Sequence, residues 1–583
     1  MTSLLRLPDE LLEGIVQHLG PRDTVAFGIT CKRIHRVATA SLVWRRHCIE
    51  TWRYWQRRHK LAEKTKLPPA QTDWRQLFKE RAIIDRDALA LFDKMLTEQQ
   101  SRSHRMEEIA SQGYDVKDLL LRLQNETLDS AEDVLARRYH AAAILGQIHR
   151  LIALDKWTML QQGHPVKLEE ALGAYDLFVT SGQKGDLDDI ARELDVIAQR
   201  VRDTDPEFEN LSIRQRAVKV AELLRSEELV GNPRVDDYHA LRNNFISIAL
   251  FDEVHTSLPL QSVSIYCAVA QRLDVNAKPS NFPQHVHAVI EALPDQTLDG
   301  VSATPTSEAP PEVMYMDPWN SSDEVPEDQL SARLSQMGVP LGLQGHLLGA
   351  ASTMEMVTRT GRNIMNSVEQ ARHRPRLANR PAYPDNDSAW YSILWSMLVL
   401  GDSEPAAAVH HRRQVLPYLV EHFQTHFPND IALIERIPPM FTQGREHQLM
   451  TELVASARHV DYGVKTVCPR NHDTQVQHKV GHYFKHRRYG YEGFVVGWDT
   501  HCAAEPAWIE QMRVDDLPRG RDQPFYNIVA DDKSVRYVAE ENIQVIHEMP
   551  SLALMQLAGR YFKRWDEEKM MFESNIRDQY PDD

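Results

Sequence analysis

Three residues of the middle region, Cys267, His285 and Asp317, are of the types that together perform thiol chemistry. A cysteine nucleophile needs a histidine base within hydrogen-bond reach, and that base needs a carboxylate to orient its ring. The thiol also needs a helix N-terminus, whose dipole lowers its pKa. Cys267 instead follows the predicted helix start at Leu258-Pro259-Leu260 by about seven residues, roughly 10 Å along the axis. We therefore interpret Cys267 as a core residue, and residual cysteine chemistry stays the alternative.

The histidines of this region also have spacings that could suit a metal ion. His285 and His287 would lie on one face of a strand, and Asp317 could complete a set of three ligands. Two weaker groups are His422 with His426, and Cys468 with His472, His478 and His482. The first lacks the glutamate of a zinc-protease helix, and the second lacks a paired ligand couplet. The sequence therefore predicts no metal and no other cofactor.

A basic and aromatic stretch, GHYFKHRRYGYEGFVVGWD, occupies residues 481–499 and has the composition of many nucleic-acid surfaces. With two later arginines it defines a candidate binding surface of Lys485, Arg487, Arg488, Tyr489, Tyr491, Trp498, Arg519 and Arg521. Residues 479–541 nevertheless hold nine Lys and Arg against eleven Asp and Glu. The charge therefore predicts at most weak DNA binding, and packing of the aromatic residues with loop-bracing arginines is the plain alternative.

Composition limits the class of protein further. The 583 residues have a net charge of −16, which argues against binding nucleic acid by bulk charge. The five cysteines are scattered and odd in number, so we expect a reducing compartment, cytoplasmic and/or nuclear. The longest apolar run, residues 391–400, is too short to span a bilayer, and acids from Asp9 onward leave no secretory signal. We expect a soluble protein that does not contact a membrane.

The elements that must position these residues are mostly helical. Helical periodicity covers residues 4–48, 74–172 and 388–460, and a mixed region separates the last two. Short β-type runs follow from about residue 474, and a helix is predicted over 550–575. The Pro-rich segment 296–312 reads as a mobile insertion and 371–387 as a break. The pattern predicts an α+β multidomain protein.

Residues 7–44, LPDELLEGIVQHLGPRDTVAFGITCKRIHRVATASLVW, resemble an F-box. The resemblance implies a trihelical domain that docks on a Skp-type adaptor and through it on a cullin. Exposed Leu and Pro side chains would fill an apolar groove of that partner. The adaptor-binding residues that it implies are Leu7, Pro8, Leu11, Leu12, Ile15 and Trp44. An ordinary three-helix N-terminal cap is the alternative.

Residues 243–293 resemble the transglutaminase-like family, through Leu258-Pro259-Leu260, Asn281-Phe282-Pro283 and His285, followed by Asp317-Pro318. The resemblance implies a retained fold with a degenerate site at Pro259, His285 and Asp317, because no cysteine stands where the helix begins.

Residues 480–543 resemble the YccV/HspQ-like domain, also called the hemimethylated-DNA-binding domain. The match lies in Val480-Gly481, the block 485–489, the run 493–499, LPRGRDQPFY (517–526) and YVAEENI (537–543). This resemblance implies a small SH3-like β barrel.

Together the three resemblances predict domains at 1–50 (F-box), 171–370 (degenerate transglutaminase-like) and 474–549 (YccV-like). Helical regions are predicted at 74–170 and 388–470, and a C-terminal helix at 550–583. The combination is similar to eukaryotic F-box proteins with a YccV-like C-terminus. It predicts a non-catalytic substrate-recognition subunit of an SCF-type E3 ubiquitin ligase, with a protein substrate. A DNA- or chromatin-binding protein acting through the tail is the alternative, and a cryptic hydrolase or transamidase is a third.

Overall fold

The computed structural model describes residues 7–180, 184–231, 237–294, 296–302, 311–373, 383–401, 404–441, 444–470 and 475–583. Much of the predicted insertion at 296–312, part of the predicted break at 371–387, and His472 lie outside these residues. In the described ranges no helix combines the length and the apolar character needed to cross a membrane.

Helices form most of the regular structure. The first eight are α1 Asp9–Val16, α2 Pro21–Gly28, α3 Lys32–Ala38, α4 Ser41–Thr51, α5 Leu61–Lys66, α6 Trp74–Thr97, α7 Arg102–Ala110 and α8 Lys117–Asn125. The next eight are α9 Val134–Gln161, α10 Leu168–Val179, α11 Leu187–Asp203, α12 Ile213–Ser226, α13 Ile246–Phe251, α14 Pro259–Gln271, α15 Glu327–Gln336 and α16 Leu341–Leu348. The last seven are α17 Thr353–His373, α18 Asn386–Val399, α19 Pro405–His426, α20 Ile431–Ile434, α21 Arg445–Tyr462, α22 Pro506–Gln511 and α23 Leu552–Ala558.

In the part of the chain that the structure describes, the strands form three antiparallel sheets. Strands β1 Ala277–Pro279, β2 Ala288–Glu291, β3 Val313–Met316 and β4 Glu324–Val325 pair in chain order. Strands β5 Tyr483–His486, β6 Glu492–Asp499, β7 Phe525–Ala530, β8 Val535–Ala539 and β9 Ile543–Val545 form a sheet in the order β8-β7-β6-β5-β9. Strands β10 Phe562–Asp566 and β11 Met571–Ser574 form a hairpin. The predicted α+β multidomain class is confirmed, and the order of the five-stranded sheet is linear in the described residues.

The chain divides into two compact units, one of residues 1–148 and 452–583 and one of residues 149–451. In the first unit, α1 to α4 enclose a small core of Leu12, Val16, Val37 and Val43. The predicted third helix is in fact two helices, because the chain leaves helical geometry at Thr39 and Ala40. Trp44 therefore belongs to α4, where it packs with Trp52 and Trp74 in a second core.

The C-terminal end of the same unit differs from the prediction of a helix over 550–583. Helix α23 ends at Ala558, and the β10–β11 hairpin follows. Phe562 and Phe572 are buried between half-buried neighbours, which is a strand pattern, and their rings stack at 5.0 Å in the core of the five-stranded sheet. Gly481, with φ of +100°, allows this approach, since a Cβ there would lie 2.2 Å from the Phe572 carbonyl oxygen.

The second unit is built around helix α14, which is buried on every side from Pro259 to Ala270. Proline at the first helical position needs no amide partner and fixes the helix start where the sequence predicts it. The β1–β4 sheet follows α14 directly, and β2 and β3 pair from Ala288↔Met316 to Glu291↔Val313. This register brings the segment before β2 beside the segment after β3. His285 and Asp317 occupy those two segments.

Candidate functional site

The sheet of the second unit brings His285 and Asp317 into direct contact. His285 Nε2 lies 2.9 Å from Asp317 Oδ2, and the Asn320 side-chain amide donates a 2.7 Å hydrogen bond to the same oxygen. Burial would raise the pKa of the Asp317 carboxyl, but the hydrogen bonds from His285 and Asn320 outweigh burial and hold that pKa below its ordinary value. The pairing of base and orienting carboxylate that the residue types predict is therefore present. Asn320, three residues after Asp317, is a contributor that the sequence reasoning missed.

Aromatic rings surround the pair. The Trp319 ring lies edge-on 5.4 Å from His285, and its indole nitrogen donates to the Ser257 carbonyl at 2.8 Å. His287 lies 5.0 Å from His285, ring centre to ring centre, in the loop before β2 and not within the strand that the sequence predicts for it. Burial lowers the pKa of His287 to about 4, with a further contribution from His285, so its ring is neutral at pH 7.

Cys267 is placed as the sequence predicts. It lies inside α14, is 1% exposed, and burial raises the pKa of its thiol well above the ordinary value. The first turn of α14 carries Pro259, Leu260 and Gln261, so no thiol occupies the helix N-terminus. The third predicted member, Pro259, marks the helix start and carries no reactive group. The His–Asp pair therefore stands without a cysteine beside it at that position.

Two groups in the described residues have ligand atoms close enough to hold a metal ion, within 4.8 Å of one another. They are His285 with His287 and Asp317, and Asp387 with His422 and His426. Each group also contains an internal hydrogen-bonding contact, since His422 Nε2 lies 2.8 Å from the Asp387 carbonyl oxygen and His285 Nε2 lies 2.9 Å from Asp317 Oδ2. The expectation of no metal stays a prediction.

The residues predicted to bind an adaptor divide by burial. Leu12 is fully buried and Trp44 is 3% exposed, so both support the core and neither can contact a partner. That part of the prediction is wrong, because the apolar face of a short amphipathic helix packs against the core of its own unit. Leu7 and Ile15 are half-buried, Pro8 is exposed, and Leu11 is 55% exposed. Further exposed apolar side chains of this segment are Val25, Ile29, Leu42 and Ile49.

The arginines predicted for the tail surface are mostly committed to acids. Arg519 Nη1 lies 2.9 Å from the buried Glu540 carboxylate, and Arg521 Nε lies 2.8 Å from Asp515. The Lys485 ammonium is 3.6 Å from Glu492. These pairs neutralise three of the five predicted cations.

Two cations and one aromatic ring remain at the turn between β5 and β6, and we call Arg487, Arg488 and Tyr489 the β5–β6 corner. Tyr489 is 68% exposed, and the Arg488 guanidinium lies 5.4 Å from its ring. In the described part of the chain neither arginine has a carboxylate within 4 Å. The Arg487 Nε donates to the Ile543 carbonyl at 3.3 Å, which anchors the corner to β9.

The other two aromatic residues of the predicted surface are structural. Trp498 is 6% exposed, and its indole nitrogen donates a 2.8 Å hydrogen bond to the Asp583 carboxylate. The inclusion of Trp498 in a binding surface is therefore wrong, because its position on β6 points it into the core. Tyr491 is half-buried under the Arg536 guanidinium, 4.1 Å from the ring centre.

Comparisons with known proteins agree with the three resemblances. Residues 4–50 match the F-box-like family model, residues 188–362 the transglutaminase-like superfamily, and residues 476–569 the model of hemimethylated DNA-binding protein YccV like. No solved structure matches. The chain therefore carries F-box-like, transglutaminase-like and YccV-like regions, and this part of the sequence prediction is confirmed.

Curated proteins with similar sequences are named F-box only protein 21. The protein of Homo sapiens is 25% identical over 364 residues, which cover 60% of this chain and 53% of that protein. The protein of Mus musculus aligns with the same figures, and that of Pongo abelii is 25% identical over 371 residues, 60% of this chain and 52% of its own length. The chain thus spans about half the length of the curated relatives that it matches.

Proposed function

We propose that this chain is the substrate-recognition subunit of an SCF-type E3 ubiquitin ligase, in which the F-box-like region recruits a Skp-type adaptor and a cullin. The observation that carries the proposal is the F-box-like match at residues 4–50, within a folded unit that keeps a large apolar side chain, Leu11, exposed. The relatives named F-box only protein 21 support the same assignment. We place the protein in the cytoplasm and/or nucleus, because its scattered cysteines fit a reducing compartment.

The adaptor-binding surface that we propose comprises Leu7, Pro8, Leu11 and Ile15, on and beside α1. The core beneath them, which includes the fully buried Leu12, fixes the direction in which Leu11 points. Pro8 and Leu11 are exposed, Leu7 and Ile15 are half-buried beside them, and apolar side chains grouped in this way mark a protein contact. A groove on the adaptor would bury these side chains as a helix-binding groove does.

The chain does not catalyse ubiquitin transfer in this proposal. It holds a substrate near the ligase partners, so its contribution is proximity. Cys267 is buried inside α14, and the N-terminus of that helix carries no cysteine. These two facts support a transglutaminase-like region that serves as a binding scaffold and not as an enzyme.

On the substrate side we propose that the β5–β6 corner contacts an acidic segment of a recruited protein. Within the described residues Arg487 and Arg488 have no carboxylate within 4 Å, so they can pair with acidic side chains, and Tyr489 offers an exposed ring beside them. The name of the matched YccV-like family favours DNA as a second ligand class. Two cations give only a weak electrostatic footprint on a phosphate backbone, so protein is the first choice.

Co-purification of partners tests the proposal. A tagged full-length chain is recovered from cells with the proteasome blocked, and adaptor, cullin and other bound proteins are measured by mass spectrometry. We expect the wild type to recover a Skp-type adaptor and a cullin, and Pro8→Ala/Leu11→Glu to lose both. Leu128→Glu is the matched control, because Leu128 is 72% exposed but lies outside the F-box-like region. If a known F-box protein recovers the adaptor under these conditions and this chain does not, the proposal is wrong.

A further inference from the structure

The second unit contains a cavity of about 590 Å³ at the N-terminal end of α14. One wall is the start of that helix, Leu258 to Leu260, and another is the loop before β2, which contributes Asn281, Pro283, Gln284 and Val286. Helix α17 forms a third wall, and Tyr238 and His239 complete the rim. The volume lies within the range of small-ligand and side-chain pockets.

The wall formed by α17 is polar and cationic. Arg359, Arg362, Asn363 and Asn366 line the cavity at spacings of three, four and seven residues, so one face of the helix presents all four. Neither asparagine has a hydrogen bond from its side chain in the described residues. Two arginine and two asparagine residues of α17 therefore line the same cavity.

Both arginines lack a counter-charge. The Arg359 Nη1 donates a 2.7 Å hydrogen bond to the Phe282 carbonyl, and in the ranges that the structure describes no carboxylate lies within 4 Å of Arg359 or Arg362. Burial lowers the pKa of the Arg359 guanidinium, which reflects the free-energy cost of holding a cation away from water. An unpaired, partly buried cation gains the most from an anion that enters its site.

One acidic side chain, Glu355, also lines the cavity, and its oxygens accept hydrogen bonds from neighbouring side chains and a backbone amide. Glu355 accepts hydrogen bonds of 2.7 Å from the Ser352 amide and hydroxyl, and one of 2.9 Å from the Asn281 amide. Helix α14, which is 13 residues long, begins at the cavity, and its N-terminus has no side-chain cap. The positive end of its dipole therefore adds to the positive charge of the two arginines. The lining therefore holds two arginines against one carboxylate and keeps an excess of positive charge, in a chain whose net charge is −16.

We infer that this cavity binds a carboxylate side chain of an acidic peptide segment, with Arg359 and Arg362 pairing with the carboxylate and Asn363 and Asn366 with the adjoining peptide groups. Guanidinium groups match the planar geometry of a carboxylate through paired N–H donors. Asparagine side chains can both donate to and accept from a peptide backbone. The inference rests on the proposed function, because it makes the transglutaminase-like region a second contact for a recruited protein.

Fluorescence polarisation on the full-length chain tests this site, with fluorescein-labelled pentaglutamate as the probe and pentaglutamine as its uncharged match. Work at physiological ionic strength suppresses attraction between distant surface charges. We expect pentaglutamate to bind and pentaglutamine not to bind. Arg362→Gln is the first variant, because the described residues give its side chain no partner that folding depends on, and it should weaken binding at least threefold. Arg359→Gln/Arg362→Gln should weaken binding at least tenfold.

Two control variants show whether the probe binds in the cavity or at another basic surface of the protein. Arg445→Gln removes an exposed arginine of the same unit that does not line the cavity, and it should leave affinity within twofold of wild type. Arg487→Glu/Arg488→Glu tests whether the probe binds the β5–β6 corner instead. Thermal melting of each variant checks the fold.

The inference fails if pentaglutamate does not bind, if pentaglutamine binds equally, or if Arg362→Gln and Arg445→Gln behave alike. It also fails if only the Arg487→Glu/Arg488→Glu variant loses the probe, or if millimolar inorganic phosphate displaces the probe as well as free glutamate does, since the site would then be a general anion site. Recovery of the adaptor by Arg362→Gln is measured in parallel. If Arg362→Gln loses the probe but still recovers the adaptor, the effect is confined to the cavity and supports the inference. If the wild type recovers no adaptor, the proposed function is wrong.

Discussion

His285 Nε2 and Asp317 Oδ2 lie 2.9 Å apart, joined across the segments that flank β2 and β3. This is the geometry of a base and its orienting carboxylate, although no cysteine occupies the N-terminus of α14. The pair therefore has a structural use that does not depend on catalysis. It ties the loop before β2 to the segment after β3, and the same loop forms one wall of the cationic cavity.

Cys267 should react slowly with thiol reagents. Burial raises the pKa of its thiol, so almost none is present as thiolate at pH 7. In a time course of iodoacetamide labelling followed by peptide mapping, the half-exposed Cys31 and Cys468 should be modified before Cys267. Cys267→Ser should cost some packing and leave no enzymatic phenotype. Rapid labelling of Cys267 that disappears in His285→Ala would instead favour an enzyme.

Leu11 and Leu12 are neighbours in sequence but should respond differently to substitution. Leu12→Ala removes a fully buried side chain and should destabilise the N-terminal helices by about 2–5 kcal/mol. Leu11→Ala should change stability by less than about 0.5 kcal/mol, because its side chain is exposed. Thermal melting and adaptor pull-down of both variants give the comparison. Equal losses of stability would mean that Leu11 is not a surface residue of the folded unit.

DNA binding by the tail should be weak and insensitive to methylation. Of the five cations predicted for this surface, Arg487 and Arg488 have no carboxylate within 4 Å in the described residues. The log–log dependence of affinity on salt should therefore have a slope of about −2, at about 0.9 per phosphate neutralised. Titration of the full-length chain with unmethylated and hemimethylated duplexes at several salt concentrations measures this slope. Arg445→Gln serves as the control for loss of one positive charge. Submicromolar affinity at physiological salt that Arg487→Glu/Arg488→Glu abolishes would favour the DNA-binding alternative.

Asp176 should make the second unit less stable as pH rises. Burial raises its pKa from 3.8 to about 7, partly opposed by hydrogen bonds from Ser247, whose backbone amide donates at 2.6 Å. The folded state therefore holds this proton over a pH range in which the unfolded chain has lost it, so its contribution to stability falls between about pH 4 and pH 7. At 1.36 kcal/mol per pKa unit, this shift changes the free energy of unfolding by up to about 4 kcal/mol between the two ends of that pH range.

Asp176→Asn should remove that contribution to the pH dependence. Melting temperatures of wild type and variant, measured from pH 5 to pH 8, should diverge as pH rises, with the variant relatively more stable at the upper end. Use of the difference between the two proteins cancels the titration of the histidines and other groups that they share. Parallel curves would show that Asp176 keeps an ordinary pKa in the folded protein.

The sequence by itself determined the elements that depend on local pattern and on short motifs. The helical periodicity, the start of α14 at Pro259 and the three family resemblances could all be read from neighbouring residues. The core position of Cys267 also follows from its distance beyond the helix start. These features could be predicted because backbone geometry and side-chain periodicity are set within a few residues.

Only the tertiary structure decided which side chains are available to partners. Arg519 lies at the surface but is paired with Glu540, 21 residues later, and Trp498 is buried and bonded to Asp583, 85 residues later. The C-terminal hairpin replaces a predicted helix because its aromatic residues pack against a sheet formed earlier in the chain. The cavity was missed because its walls come from α14, α17 and the loop before β2. Burial and ion pairing depend on packing between distant segments, which no local pattern records.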